Sequence, residues 1–338
     1  MCYQKLLQCD FLSEEKKKEI SYYLDRMTQN SIFTLSQFIF DNKLDRDLSK
    51  KLLTWLCTNN ILKRGYAVRC PNCGHMIELI DDINNTKDTI FCVNCSQDVE
   101  LTSEDIVIIY MLNSPPFVDG QWVETYFKTL EQLQPAVPKE DTLKELLDSG
   151  QANELFYSPS QQEYLELQRL YNDIFVADST KEKGDTLEDL VRYLFNLCIH
   201  FKANSIKIGN NQIDCYSRNQ LCVPGTNIEP SDYDIISECK NENKKPGITY
   251  LEKLHSILIQ SNRKNGIIFS KKEAPSTYLS TARELYLQDK ILIISIDGND
   301  LDKISNHKYN FLECIARKQA EIILNAKSNL VNQGLYSA

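Results

Sequence analysis

The chain has no long apolar run. No segment approaches the ~18 consecutive apolar residues that a membrane-spanning helix needs, and the opening Met1-Cys-Tyr-Gln-Lys5 lacks the basic start and apolar core of a secretory leader. A disulfide framework is missing too. Of twelve cysteines in 338 residues, four fall in two Cys-x-x-Cys pairs, which suits a reducing compartment and a metal better than a set of bridges. Positive charge is also in deficit, with 38 Lys and Arg against 47 Asp and Glu, for a net charge of −9. These absences lead us to expect a cytoplasmic protein with no membrane partner. Hydrophobic residues make up 42% of the chain, enough to build cores for two or three domains of ~150 residues each.

The overall deficit hides a local asymmetry. Between Asp98 and Asp189 there are twenty acidic and six basic residues. Between Leu48 and Pro71 there are five basic residues and no acid, and between Cys239 and Lys272 eight basic against two acidic. Local patches, not the global sum, set the attraction for phosphate. The candidate nucleic-acid contacts are therefore Lys50, Lys51, Lys63, Arg64, Lys244, Lys245, Arg263 and Lys264.

Residues 1–68 read as helical. Ser13-Glu-Glu-Lys is an N-cap followed by acids in the first turn, and Ile32–Phe40 and Leu48–Leu62 carry apolar residues at helical spacing. Leu62-Lys-Arg-Gly-Tyr-Ala-Val68 reads as a short turning strand. Two helices followed by a basic hairpin resemble a winged helix-turn-helix. A small bundle whose lysines solvate one face is an equal alternative, and winged helices also serve protein contacts.

Residues 69–100 hold the most specific local motif. Cys70-Pro-Asn-Cys73 and Cys92-Val-Asn-Cys95 are 18 residues apart, the spacing of a tetrahedral zinc site. With Met76–Ile80 and Thr89–Phe91 as hairpin strands, this resembles a zinc ribbon. Four thiolates complete the coordination, so the Zn²⁺ is expected to be structural and His75 a bystander. Residues 101–180 read as an acidic helical linker domain, with Trp122, Tyr126, Phe127 and Leu130 as its packing residues, and residues 301–338 as a C-terminal helix for packing or self-association.

The remaining stretch, 181–300, carries the chemistry. Leu187, Leu190, Val191, Leu194, Phe195 and Cys198 form an apolar helical stripe, with Glu188 beside it. Ser205–Gly209, Gln212–Ser217 and Tyr233–Lys240 read as strands, with a turn at Pro224-Gly225. A helix at Tyr250–Ser261, a strand at Ile267–Ser270, a helix at Ser276–Gln288 and a buried parallel strand at Ile291–Ile296 follow. Side chains alternate along a strand, so Glu238 and Lys240 share one face and Cys239 takes the other. Asp234 shares the face of Glu238. Taken singly, each acid is more often solvated than catalytic.

In order, Gly184-Asp-Thr-Leu-Glu188, Gln212-Ile-Asp214 and Glu238-Cys-Lys240, on a helix, three strands, helix, strand series, resemble the PD-(D/E)XK nuclease superfamily. The Mrr-like restriction endonucleases are the nearest type. No Pro precedes Asp214, which departs from the family pattern. The resemblance implies a multidomain protein whose C-terminal α/β domain is restriction-endonuclease-like with a mixed sheet. It also implies Glu188, Asp214, Glu238 and Lys240 as catalytic residues. Asp214 and Glu238, with Glu188 in support, would hold Mg²⁺ or Mn²⁺, and Lys240 would orient the attacking water. Gln212 and Asp234 would stand behind these ligands. No histidine lies near the motif, and His255 reads as a surface or packed residue. The partners implied are double-stranded DNA, a second copy of the chain and, by analogy of layout, a partner protein of a bacterial restriction or anti-phage defence system. Two other readings stay open: a non-catalytic nucleic-acid-binding or regulatory protein, and an RNase activated by a partner.

Overall fold

In the computed structural model we describe residues 2–27, 31–113, 141–148, 152–177, 179–208, 211–221 and 230–332. They fall into two compact units, one up to Ala152 and the other from Asn153 onward. The packing residues expected at 122–130 and the turn at Pro224-Gly225 lie outside the described residues.

The first unit starts with α1 (Cys2–Leu6) and α2 (Glu14–Arg26). Ser13 caps α2 through its side chain, which accepts the Lys16 N–H, as its sequence position predicts. Next come β1 (Ile32–Phe33), α3 (Leu35–Asn42) and α4 (Arg46–Thr58), the last capped by Asp45. Leu6, Ile20, Leu24, Phe33, Phe38, Leu52, Leu53 and Leu56 form one buried core, in which Phe33 stacks between Phe38 and Tyr110.

The strands β2 (Leu62–Arg69), β3 (Met76–Ile80), β4 (Thr89–Cys92), β5 (Gln97–Glu100) and β6 (Ile106–Leu112) follow. Three corrections to the sequence reading come with them. The turning strand at 62–68 is a full eight-residue strand. Met76–Ile80 pairs with β2 rather than with β4, because each cysteine knuckle is itself the turn of a hairpin. The third concerns the expected helical linker, which contains a strand: β6 lies between β1 and β2 in a sheet of order β1-β6-β2-β3, antiparallel throughout. Val107, Ile109 and Met111 pack with Ala67 in its core. Tyr110 and Leu112 pack on the other side against the helical core, so both faces of β6 are covered, which explains why Ile106-Val-Ile-Ile109 is apolar without alternation. Asp141 ties the next segment back, accepting from Ser36 N and Oγ at 3.1 and 2.9 Å, ahead of α5 (Leu143–Asp148).

In the second unit, α6 (Ala152–Phe156) and α7 (Gln161–Val176) precede α8 (Thr180–Asn196). Then come β7 (Phe201–Ile208), β8 (Asn211–Asn219), β9 (Ile235–Lys240), α9 (Ile248–Gln260), β10 (Asn265–Ser270), α10 (Ser276–Asp289) and β11 (Leu292–Ile296). The series closes with α11 (Gly298–Ser305) and α12 (Phe311–Asn332). The sheet is mixed, in order β11-β10-β9-β8-β7: β7, β8 and β9 pair antiparallel, and β9, β10 and β11 pair parallel. Strand, helix and strand alternate from β9 onward, and such crossovers cover a parallel sheet. Phe195, Phe269 and Phe311 meet edge-on or tilted over it. With Phe311, Cys314, Ile315 and Ile322 buried, α12 spends its apolar face inside its own unit.

One close approach fixes a residue choice. A Cβ at Gly298 would stand 2.5 Å from the backbone oxygen of Lys271. We therefore expect Gly298→Ala to cost about 1–3 kcal/mol, read as a lower urea midpoint at unchanged slope. An unchanged midpoint would count against this packing.

Candidate functional site

The expected catalytic residues sit where the sheet divides. The β8–β9 ladder ends at Cys215↔Ser237, while β9 continues beside β10 through Ile268↔Glu238, Phe269↔Cys239 and Ser270↔Lys240. Beyond that last rung β9 has a neighbour on one side only. Asp214, the next residue along β8, turns its carboxylate across the gap, and Oδ2 accepts the Cys239 N–H at 2.7 Å. Asp214 is thus in the body of β8, within the stretch expected as a strand at Gln212–Ser217.

Charges converge there. Lys240 Nζ lies 2.7 Å from Glu238 Oε1 and 3.9 Å from Asp214 Oδ2. The same ammonium donates to the Cys239 carbonyl at 3.1 Å and stands 4.7 Å from the Tyr250 ring centroid. A second lysine, Lys253 on α9, reaches Glu238 Oε1 at 2.8 Å. Sequence reading missed Lys253; its signal was a lysine on the second turn of the helix that follows Glu238-Cys-Lys240.

Glu188 arrives from α8. That helix starts at Thr180, capped by the reciprocal pair Ser179 and Glu182, and not at Gly184. A Cβ at Gly184 meets nothing within 4 Å, so no contact requires glycine there. Glu188 consequently lies in the third turn, beyond the reach of the dipole at the helix start. Asn241, also missed, joins the end of β9 to this region: its Nδ2 donates to Ile174 O at 3.1 Å and Lys183 O at 2.9 Å.

The electrostatics separate Glu188 and Asp214 from ordinary surface carboxylates. Burial, then the Asp214 charge, push Glu188 up to about 7, against a lowering by Arg192 on the same helix. Burial, then Glu238, raise Asp214, while the Cys239 N–H, Lys240 and Lys253 pull it down. Burial alone would lower Lys240, but Glu238 and Asp214 overcome it and hold the ammonium charged. A raised carboxyl favours its protonated form in the folded state. The stabilisation is full below about pH 4.5 and disappears as pH rises through 7. Glu188→Gln should accordingly gain about 1–2 kcal/mol over the wild type at pH 8, after allowance for solvent screening of a half-buried group, and nothing at pH 4. Urea midpoints at the two pH values check this; a gain of equal size at both would contradict it.

Other expected residues go elsewhere. Asp234 is buried at the opposite end of β9, where it accepts from Tyr216 Oη and, at 2.8 Å, from Asn219 N, and pairs with Arg263 Nε at 3.1 Å. It supports the fold and stands apart from the charge cluster of Asp214, Glu238 and Lys240. Arg263 is committed with it. Gln212 pairs through its backbone with Lys207 on β7; its side chain lies outside the described residues. Arg64 is drawn in against the Tyr110 ring at 5.9 Å, Lys63 pairs with Asp81 at 2.9 Å, and Lys51 stands 4.1 Å over the Phe11 ring. Lys50 is half-buried on α4. Lys244 and Lys245 meet Glu242 and Glu273 at 3.9 and 3.7 Å with their side chains mostly exposed, and Lys264 is exposed. Of the eight candidate nucleic-acid contacts, Arg64 and Arg263 are spent inside the fold. His255 pairs with Asp289 at 3.0 Å on the helix surface.

The four cysteines meet as their spacing predicts. Cys70 and Cys73 turn the β2–β3 hairpin, and Cys92 and Cys95 turn β4–β5. The residue after each second cysteine, Gly74 and Ser96, has positive φ, 71° and 54°, so both knuckles bend alike. All four sulfurs lie within 4.8 Å of one another, with Cys70 to Cys95 at 3.6 Å and Cys73 to Cys92 at 3.7 Å. A tetrahedral zinc with ~2.3 Å bonds to sulfur sets its thiolates about 3.8 Å apart, so the cluster fits a metal such as zinc. His75 brings no ring nitrogen to the cluster; its carbonyl accepts the Cys70 N–H at 2.8 Å and its backbone N–H donates to the Cys73 sulfur. Among the described residues these cysteines are the group of three or more ligand-type side chains gathered this closely; Glu188, Asp214 and Glu238 are not drawn together to the same degree. No helix of the described residues is long and apolar enough to cross a membrane.

No protein-family model, curated protein or solved structure matches this chain.

Proposed function

We propose that the chain is a metal-dependent endonuclease of PD-(D/E)XK type that hydrolyses phosphodiester bonds in DNA. The observation that carries the reading is the charge cluster of Asp214, Glu238 and Lys240 where β8 and β9 part, with Glu188 electrostatically coupled to it. The donor chemistry suits a hard dication: oxygen ligands from neighbouring strands, with Glu188 raised by burial and the Asp214 charge, and Asp214 raised by burial and Glu238. Asp214 and Glu238 would hold it, with Glu188 in support. Such an ion supplies charge neutralisation at the phosphate and a water of lowered pKa. The protein's own part is positional. Lys240, fixed by two carboxylates, a carbonyl and the Tyr250 ring, presents a point charge to a phosphate oxygen or the attacking water. Glu188, titrating near neutrality, can take a proton on its carboxylate at working pH.

The first unit supplies recognition in this reading. Helix, strand, two helices and two long strands in the sheet order β1-β6-β2 support a winged-helix reading, in which the cysteine-knuckled hairpins β2–β3 and β4–β5 would take the place of the wing. Lys50 and Lys51 lie on the helix that would face nucleic acid. Double-stranded DNA is the proposed substrate, and a paired second copy would account for cutting both strands. A role as effector of a restriction or defence system rests on the analogy of layout.

One observation favours a non-catalytic reading: Glu238 already accepts two ammoniums, as a static ion-pair cluster would. The deciding experiment incubates the zinc-loaded protein with supercoiled plasmid, single-stranded DNA and RNA in Mg²⁺, Mn²⁺ or EDTA. We expect plasmid nicking and linearisation with either cation and none in EDTA. Retained DNA binding without cleavage under any condition would replace the nuclease with the regulatory protein, and RNA-only cleavage would replace the substrate.

A further inference from the structure

Glu238 carries more cationic partners than a strand carboxylate needs. Its side chain is 3% exposed, and one oxygen, Oε1, accepts from both Lys240 at 2.7 Å and Lys253 at 2.8 Å. A carboxylate oxygen has two lone pairs, and here two ammoniums take both. A cation that binds through this oxygen must displace one of them.

The two lysines are not equivalent competitors. Lys240 is 18% exposed and anchored four ways, by Glu238, Asp214, the Cys239 carbonyl and the Tyr250 ring. Lys253 is 44% exposed, and among the described residues its ion pair is with Glu238 alone. Its helix is held independently of that contact, since Leu251, Leu254, Ile257 and Leu258 are buried along it. Releasing Lys253 therefore returns a flexible, strongly hydrated ammonium to water and disturbs no packing. Releasing Lys240 would break several contacts at once.

We infer that Lys253 is a displaceable competitor for the divalent cation at Glu238, and so sets the cation concentration at which the cluster loads. The inference rests on the reading of Asp214 and Glu238 as cation ligands, which Lys253 does not itself support. Removing the competitor relieves both its hold on the oxygen and its repulsion of an incoming dication, so affinity rises.

The test measures Mn²⁺ binding to the zinc-loaded, full-length protein by the loss of the free-ion electron paramagnetic resonance signal. Wild type is compared with Lys253→Met, Lys253→Gln, Glu238→Gln and the Glu238→Gln/Lys253→Met double variant, each checked for folding by circular dichroism. We expect both Lys253 variants to lower the Mn²⁺ dissociation constant at least tenfold and the double variant to gain nothing over Glu238→Gln. A dissociation constant within twofold of wild type in both Lys253 variants, with binding weakened in Glu238→Gln, would overturn the inference and leave the cation site standing. Mn²⁺ binding unchanged in Glu238→Gln would overturn the cation site, and the inference with it.

Discussion

Lys240→Ala and Asp214→Asn are each expected to lower the rate of Mg²⁺-dependent plasmid cleavage by about 10³-fold, the scale on which one preorganised electrostatic partner of a reacting group is lost. The two changes act differently on the resting protein, and that difference guards the interpretation. Lys240→Ala leaves Glu238 paired with Lys253, so no carboxylate is stranded in the interior. Asp214→Asn keeps an oxygen acceptor for the Cys239 N–H and removes the charge that raises Glu188. Neither should lower the unfolding free energy obtained from the urea midpoint by more than about 1 kcal/mol. A lost rate with an unmoved midpoint locates the chemistry in this cluster. Cleavage that survives both substitutions would place it elsewhere.

The second large effect concerns the metal in the first unit. The β4–β5 hairpin is a separate two-stranded sheet whose residues are mostly exposed, apart from Cys92 and Val99. An isolated hairpin of this size is marginal in water, so a metal bound by the four sulfurs would hold its knuckle against the Cys70–Cys73 knuckle. Structural zinc in small domains supplies about 10–16 kcal/mol of apparent folding free energy. Chelation, or Cys92→Ser, should therefore unfold residues 70–100 and lower the first unit's thermal transition by 10 °C or more. Helices α2 to α4 keep a core of their own, so helical circular dichroism should fall only in part. The measurements are zinc content by atomic absorption, expected at one per chain, and calorimetry with and without chelator. A zinc content near zero, or a transition indifferent to chelation, would remove the metal from the account.

How far the sequence could carry these expectations varied by residue. The cysteine pairs were legible because thiolate ligation demands local spacing: two residues between partners make a knuckle whatever surrounds it. The Glu238-Cys-Lys240 strand was legible because alternation alone puts Glu238 and Lys240 on one face. Asp234 satisfied the same alternation and still went elsewhere. Parity says which face a residue takes, not which end of the strand, and at its own end Arg263 and Tyr216 were waiting. The start of α8 was misread because Gly184 resembled a boundary, whereas the capping pair Ser179 and Glu182 sets the start four residues earlier.

The sequence by itself determined the four-cysteine cluster, the helical stripes, the strand faces and the order of elements in the second unit, all from interactions between residues near in the chain. Only the tertiary structure decided the rest. It placed β6, from the stretch expected to be a helical linker, between β1 and β2 in the first unit's sheet. It spent Arg64 and Arg263 inside the fold, and it set Lys253 beside Glu238. Each of these depends on pairing between distant segments, where burial and charge are settled by the neighbour across the gap and not by the neighbour along the chain.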